Sequence, residues 1–373
     1  MLAQCSRYVA VLAISIPLVG AAVPVVAAQS SVFGPGSPAA AAAESAEDAD
    51  AADDSVRTFR VMVRGLLDQG RFADLDALAD QLRSQRLRFT GGAWRLHVLY
   101  ATLSTPGSET ATDAEWRAQI SMLVQWLQAN PTSATAPVAL AQTYVRFAWK
   151  ARGHGYSDTV TPEGQALFID RMESARSVLE ASTTSRLCPQ WYRQMQAVAL
   201  AQGWDHARYA ALSEQGFANE PGYYYFALAE LNYLLPKWFG KPGEARAYAE
   251  QIADTVGDAD GDAVYFSMAA ATNCCVRTEV ADLSWARIQR GFSIVEQRYG
   301  STNRQRNVMA YLALRAADAQ AAQRFFARIS GDWNRSVWKT KALFDASRSG
   351  HAVGRTQPLQ PDMAATISAG AID

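Results

Sequence analysis

Histidine is scarce in this 373-residue chain: His97, His154, His206 and His351 are all it has, none with a second histidine at metal-ligand spacing. That removes the His-Glu-x-x-His pattern of zinc hydrolases. Gly-x-Ser-x-Gly, a phosphate-cradling glycine loop and Cys-x-x-Cys are missing too. Lysine is nearly absent as well, at 5 residues against 30 arginines, a bias that fits GC-rich coding better than a phosphate site. Neither sign of charge dominates, since the formal net charge is -1. A nucleic-acid footprint is therefore not expected. Period-two alternation of apolar and polar residues is essentially missing, which argues against a sheet. Beyond Val26 no apolar run is long enough to span a bilayer.

Four cysteines leave little room for a disulfide framework. Cys5 precedes the first apolar run, so it is not the cysteine a lipoprotein would acylate after that run. Cys188, Cys274 and Cys275 remain. The helical reading below places two hairpins between Cys188 and the adjacent pair, and packed helices sit about 8–10 Å apart. A bridge needs Cα atoms within about 7 Å. Buried free thiols are expected.

What is present starts with a targeting signal. Arg7 precedes an apolar stretch from Tyr8 to Val26, broken by Pro17, Gly20 and Pro24, and Val26-Ala27-Ala28 offers small residues before Gln29. This is the pattern of a secretory signal peptide over 1–28, cleaved after Ala28, and it implies a periplasmic or secreted protein. An uncleaved anchor is the alternative, and membrane contact would then run through that segment alone. Residues 29–54 are an Ala- and acid-rich linker without apolar period, carrying Glu44, Glu47, Asp48, Asp50, Asp53 and Asp54. With those acids set aside, residues 55–351 hold 33 Lys and Arg against 28 Asp and Glu, a surplus of +5.

From Ser55 the texture becomes helical. Val56, Phe59, Val63, Leu66 and Leu67 fall on one helix face before Gly70, and Phe72, Leu75, Leu78, Ala79 and Leu82 line the next. The pattern recurs: Trp116 to Leu127 up to Asn130-Pro131, Leu140 to Ala148 up to Gly153, and Leu167 to Leu179. Trp191 to Ala201, Tyr209 to Phe217 and Tyr223 to Leu235 follow. Pro242 is expected in the first turn of a helix running to Val256. Further helices are predicted over 262–273, 279–299, 303–317, 319–330 and 333–348, with a loose tail over 351–373. About fifteen helices joined by short turns read as serial antiparallel hairpins. The expected fold is all-α over 55–350, a TPR-like stack forming an α-solenoid or an irregular α/α superhelix. Leu66-Leu67-Asp68-Gln69-Gly70-Arg71-Phe72 and the Ala316-to-Phe325 stretch have the tetratricopeptide texture, although no strict 34-residue register survives.

Two segments carry a more particular likeness. One is Trp149-Lys150-Ala151-Arg152-Gly153-His154-Gly155-Tyr156, leading to Val160, Glu163-Gly164 and Phe168. The other is Tyr223-Tyr224-Tyr225-Phe226 with Leu235-Pro236-Lys237-Trp238-Phe239-Gly240-Lys241-Pro242-Gly243-Glu244, followed by Gly257 and Gly261-Asp262. Together they resemble DUF4034, a family of bacterial helical-repeat proteins, over roughly residues 60–345. The resemblance implies a TPR-like helical fold and brings no substrate, cofactor or catalytic residue.

Read physically, both segments are joints. Gly153 and Gly155 permit positive φ where a helix ends, and Tyr156 can pack back over that end. Trp149 and Arg152, three apart on a helix, are placed for guanidinium-on-indole stacking. Glu244 falls in a first turn, where the helix dipole favours it. The functional reading is a groove lined by Trp149, Arg152, Tyr156, Tyr223, Tyr224 and Trp238. Other chemistry finds less support. His97 is expected to pack and His206, beside Asp205, to open a helix. Asp258-Ala259-Asp260-Gly261-Asp262 lacks the later residues of an EF-hand loop, since Ala263 and Ala269 stand in their places, and is expected to cap a helix.

Two functions follow. The first is an exported scaffold that binds a protein or peptide on a concave face, with no metal or cofactor and no catalytic residue. The alternative is an envelope polysaccharide-acting enzyme or sugar binder on a helical toroid, using the aromatics as stacking platforms. Asp158 with Glu163, or Glu220 with Glu230, would then serve as the acid pair.

Overall fold

The computed structural model describes residues 54–108, 110–153, 160–272, 283–329 and 332–350. All belong to the unit Phe33–Asp373; the unit Met1–Val32, with the expected signal peptide, lies outside the described residues, as do the linker to residue 53 and the tail. Among the described residues there are sixteen α-helices and no strand, only an isolated bridge between Arg88 and Trp94. They are α1 Asp54–Asp68, α2 Phe72–Gln85, α3 Arg95–Leu103, α4 Asp113–Ala129, α5 Ala136–Arg152, α6 Pro162–Ala181, α7 Pro189–Ala201 and α8 His206–Asn219. The second half holds α9 Tyr225–Tyr233, α10 Glu244–Val256, α11 Asp258–Thr272, α12 Trp285–Tyr299 and α13 Asn303–Arg315. The last are α14 Ala319–Ile329, α15 Arg335–Trp338 and α16 Lys341–Arg348.

Local chemistry sets these limits. Thr112 and Glu115 form a reciprocal capping box at α4, and Thr302 with Gln305 does the same at α13. Thr161 accepts from the Gly164 amide ahead of Pro162 in the first turn of α6. Asp205 accepts from the Arg208 amide at 2.9 Å, so His206 opens α8 as expected.

Two classes of helix alternate. α5 buries 12 of its 17 residues and α7 buries 10 of 13, whereas α2 buries 3 of 14 and α10 buries 3 of 13. Helices apolar all round belong inside, and those with one apolar stripe cover them. The odd-numbered helices α1 to α11 accordingly pack one on the next as an inner layer, with α2, α4, α6, α8 and α10 outside. Alanines in α5 and α7, among them Ala139, Ala141, Ala148 and Ala199, are fully buried. Between α11 and α12 the approach is closer still: a Cβ on Gly291 would stand 1.9 Å from the Asp262 carbonyl oxygen.

The layers do not run on as an open solenoid, in which each unit touches only its neighbours. The connection between α2 and α3 reaches both the middle and the end of the stack. Trp94 Nε1 donates to the Gly222 carbonyl at 3.1 Å, Arg86 pairs with Glu220 at 2.7 Å, and Gln305 Nε2 donates to the Gly91 carbonyl at 2.8 Å. The irregular α/α arrangement describes this chain.

Several boundaries differ from expectation. Pro242 lies ahead of α10, whose N-cap is Gly243 in the left-handed region; the Glu244 carboxylate reaches back to the Lys241 amide at 2.8 Å. α11 starts at Asp258, four residues early, because Asp258 itself adopts φ +46° and redirects the chain after Gly257. The last predicted helix is two, broken at Lys339 with φ +65°. Cys188 is a buried free thiol 3.2 Å from the Tyr100 hydroxyl, and Cys274 and Cys275 lie outside the described residues.

Candidate functional site

Alternation of direction along the chain gathers the C-terminal ends of the inner helices on one side and their N-terminal ends on the other. The structure divides the expected groove residues between these two sides. On the C-terminal side Trp149, in the last turn of α5, meets Trp238 of the α9–α10 connection edge to face, centroids 6.1 Å apart. Arg152 stacks its guanidinium 5.6 Å from the Trp149 centroid, as the i,i+3 spacing requires. Phe168 of α6 closes the other side of Trp149 at 4.9 Å. Burial pulls the Arg152 guanidinium below its usual range. Tyr156 lies outside the described residues.

Tyr223 and Tyr224 sit at the other end, and here the expectation needs correction. Tyr223 is 0% exposed, held between Trp94, Tyr225 and Phe226, so it packs the inner layer and lines no groove. Its hydroxyl donates to Gln190, whose amide donates to Gln142 at 2.9 Å, a polar thread from the turn ahead of α9 through α7 to α5. His97 stacks on Tyr225 at 3.7 Å and is buried, a packing histidine as expected. Tyr224 is half-buried, packed against Tyr225 at 4.3 Å. An aromatic cluster at a helix start reads the same in sequence whether it faces in or out, and here it faces in.

The C-terminal side extends beyond the residues singled out. From Trp238 the row continues to Phe239, which stacks on Tyr233 at 5.0 Å, and Tyr233 meets His206 at 5.3 Å. The Tyr233 hydroxyl donates to the Trp204 carbonyl at 2.6 Å, and Arg208 covers the Trp204 indole at 3.3 Å. Trp149, Trp204, Trp238 and Phe239 are all half-buried. The row thus presents aromatic edges, flanked by Arg152, Arg208 and the half-exposed His206, which lies 3.7 Å from Glu244. Burial, with Asp205, Glu244 and Glu230 adding negative potential, pushes the Tyr233 hydroxyl up to about 12. The Trp238 Nε1 hydrogen is buried and has no acceptor among the described residues. Gly240 makes the connection possible: a Cβ there would lie 1.8 Å from the Leu234 carbonyl oxygen. The sequence signal for Trp204 and Phe239 was available, since each follows a helix end where an aromatic has no stripe to join.

Among the described residues Glu220 and Glu230 do not come together as an acid pair. Glu220 is committed to Arg86, whereas Glu230 lies inside the fold beside Ser213 and Tyr248. Asp158 lies outside the described residues, so its pairing with Glu163 is not placed. Asp260 pairs with Arg298, and Asp262 takes Arg287 at 2.8 Å and Arg290 at 2.7 Å. Burial works against ionisation here, but the Arg290 and Arg287 guanidinium groups hold the Asp262 carboxyl below its usual range. Among the described residues no group of three or more His, Cys, Asp or Glu is placed to hold a metal ion. No family model matches the chain, and no curated protein or solved structure matches it either.

Proposed function

We propose that this chain is an exported helical-repeat scaffold that takes a protein or peptide partner along the aromatic row at the C-terminal side of its inner layer. The observation that carries the reading is the Trp149–Trp238 pair. Two indoles from elements far apart in sequence meet half-buried, beside a stacked arginine, at a place where helices end and backbone turns. Tryptophan and arginine in such settings are the residue types that anchor protein interfaces: the indole contributes a large rigid surface with few rotamers to freeze, and the guanidinium a planar fork that stacks and donates. The row supplies a donor as well: the exposed Arg208 guanidinium, lying over the Trp204 indole, suits the carbonyl oxygens of an extended peptide. Export is inferred from the basic, apolar and small-residue order of the first 28 residues. The resemblance to DUF4034 agrees with a helical scaffold.

The full mature chain, immobilised and probed with a peptide array and a glycan array side by side, tests the reading. Binding to a subset of peptides is the expected result. Binding to glycans alone would replace this reading with the sugar-binding one.

A further inference from the structure

Glu230 is a carboxyl placed where packing alone would choose an apolar residue. It sits on the inner helix α9, is 8% exposed, and is flanked by Ala229 and Leu231, both buried. What surrounds it comes from three helices. α8 supplies Tyr209, Ser213 and Glu214, α10 supplies Tyr248, and α9 itself supplies Tyr233. These are hydroxyls and one further acid. The nearby cation, Arg193 of α7, acts on Tyr209. The Ser213 and Tyr248 hydroxyls favour the anion, but by less than burial opposes it. Ser213 Oγ accepts from Gln196 Nε2 at 2.8 Å and turns its own hydrogen toward the Tyr209 carbonyl at 3.3 Å. Tyr248 faces the carboxyl without a well-formed hydrogen bond.

We propose that the joint between α8, α9 and α10 is operated by a proton on Glu230: the packing closes around the neutral carboxyl and loosens when it ionises. Burial, reinforced by Glu214 and only partly offset by the Ser213 and Tyr248 hydroxyls, pushes this carboxyl up from 4.5 to about 7. The direction of the linkage follows. A carboxyl raised in the folded state favours folding fully below its unfolded value near 4.5. That contribution is lost as pH climbs through about 7, because the unfolded chain then gives up its proton more readily. Near neutrality the carboxyl is within its titration range, so a change of one pH unit either way changes its ionisation. α10 follows directly on the connection that carries Trp238 and Phe239, so a loosened joint reaches the aromatic row.

The test is thermal melting of the full chain from pH 5 to pH 8.5, comparing wild type with Glu230→Gln, which keeps size and hydrogen bonding but cannot ionise. Wild type should lose about 5 °C or more relative to the variant between the two extremes. Glu214→Gln, which leaves the buried carboxyl in place but removes a neighbour that favours its protonation, should keep the loss and move it slightly lower in pH. Amide exchange of wild type supplies a reading that needs no variant to fold. After correction for the intrinsic pH dependence, opening of residues 206–219 and 244–256 should rise between pH 5.5 and 8 while residues 113–129 stay constant. Parallel melting curves for wild type and Glu230→Gln, or equal changes in exchange across all three segments, overturn the proposal.

Discussion

Replacing Asp76 with alanine removes one carboxylate that three donors share. Asp76, on outer helix α2, accepts from Trp126 Nε1 at 3.0 Å, from Asn130 Nδ2 at 2.8 Å and from Ser133 Oγ. It thereby ties α2 to the end of α4 and to the turn that starts α5. Ser133 in turn accepts from the Thr135 and Ala136 amides at 3.1 and 2.9 Å, so its orientation sets the start of an inner helix. Trp126 is fully buried and Ser133 nearly so, and neither can exchange the lost bond for water without a local opening. A hydrogen bond to a charged acceptor is worth about 1.5–3 kcal/mol net, and Asn130, near the surface, recovers most of its share from water. The two buried donors together put the loss at about 3 kcal/mol, which for a domain of this size is roughly 6–12 °C in Tm. Asp76→Asn keeps one acceptor and should lose about half as much. Urea and thermal unfolding of the three proteins measure both numbers. A loss below about 0.5 kcal/mol for Asp76→Ala would show that this node does not hold α4 and α5 in place.

Two further substitutions probe other joints. Asn307→Ala should release α15 and α16 at a cost of about 2–3 kcal/mol, because Asn307 Oδ1 accepts from the buried Trp338 indole at 2.7 Å and from the Asn334 amide at 3.1 Å. Limited proteolysis near residue 335 reads that release directly. Gly240→Ala drives a Cβ into the Leu234 carbonyl and should cost about 3 kcal/mol or more, with loss of the Trp238–Trp149 contact seen as a change in near-ultraviolet circular dichroism.

Much of the architecture was legible because helices write a period into the sequence. Asp205 before His206 marks a start, and Gly153 and Asn130 mark ends, each by local chemistry the structure repeats. The Trp149–Arg152 stack was legible for the same reason, being a matter of helix spacing. The meeting of Trp149 with Trp238 was expected only as part of one groove with Tyr223 and Tyr224, since nothing local encodes the distance between two connections some ninety residues apart. Contacts such as Gln305 with Gly91 carry no period at all, which is why an open solenoid and a closed superhelix stay equivalent in sequence. Tyr223 was misplaced because α9 buries residues on all sides, so its sequence offers no polar face from which to read an inward or outward direction. Glu230 drew notice only as one carboxylate among many, since burial is a property of the assembled layers.

The claim that the aromatic row is where a partner binds is tested most directly by peptide binding to Trp238→Ala and Tyr224→Ala, which alter opposite ends of the inner layer. Affinity for an array-selected peptide should fall at least about tenfold in Trp238→Ala, the loss of a single interface anchor, and stay within about twofold in Tyr224→Ala. Equal affinities in both variants, each shown to melt cooperatively, would contradict the assignment of the site.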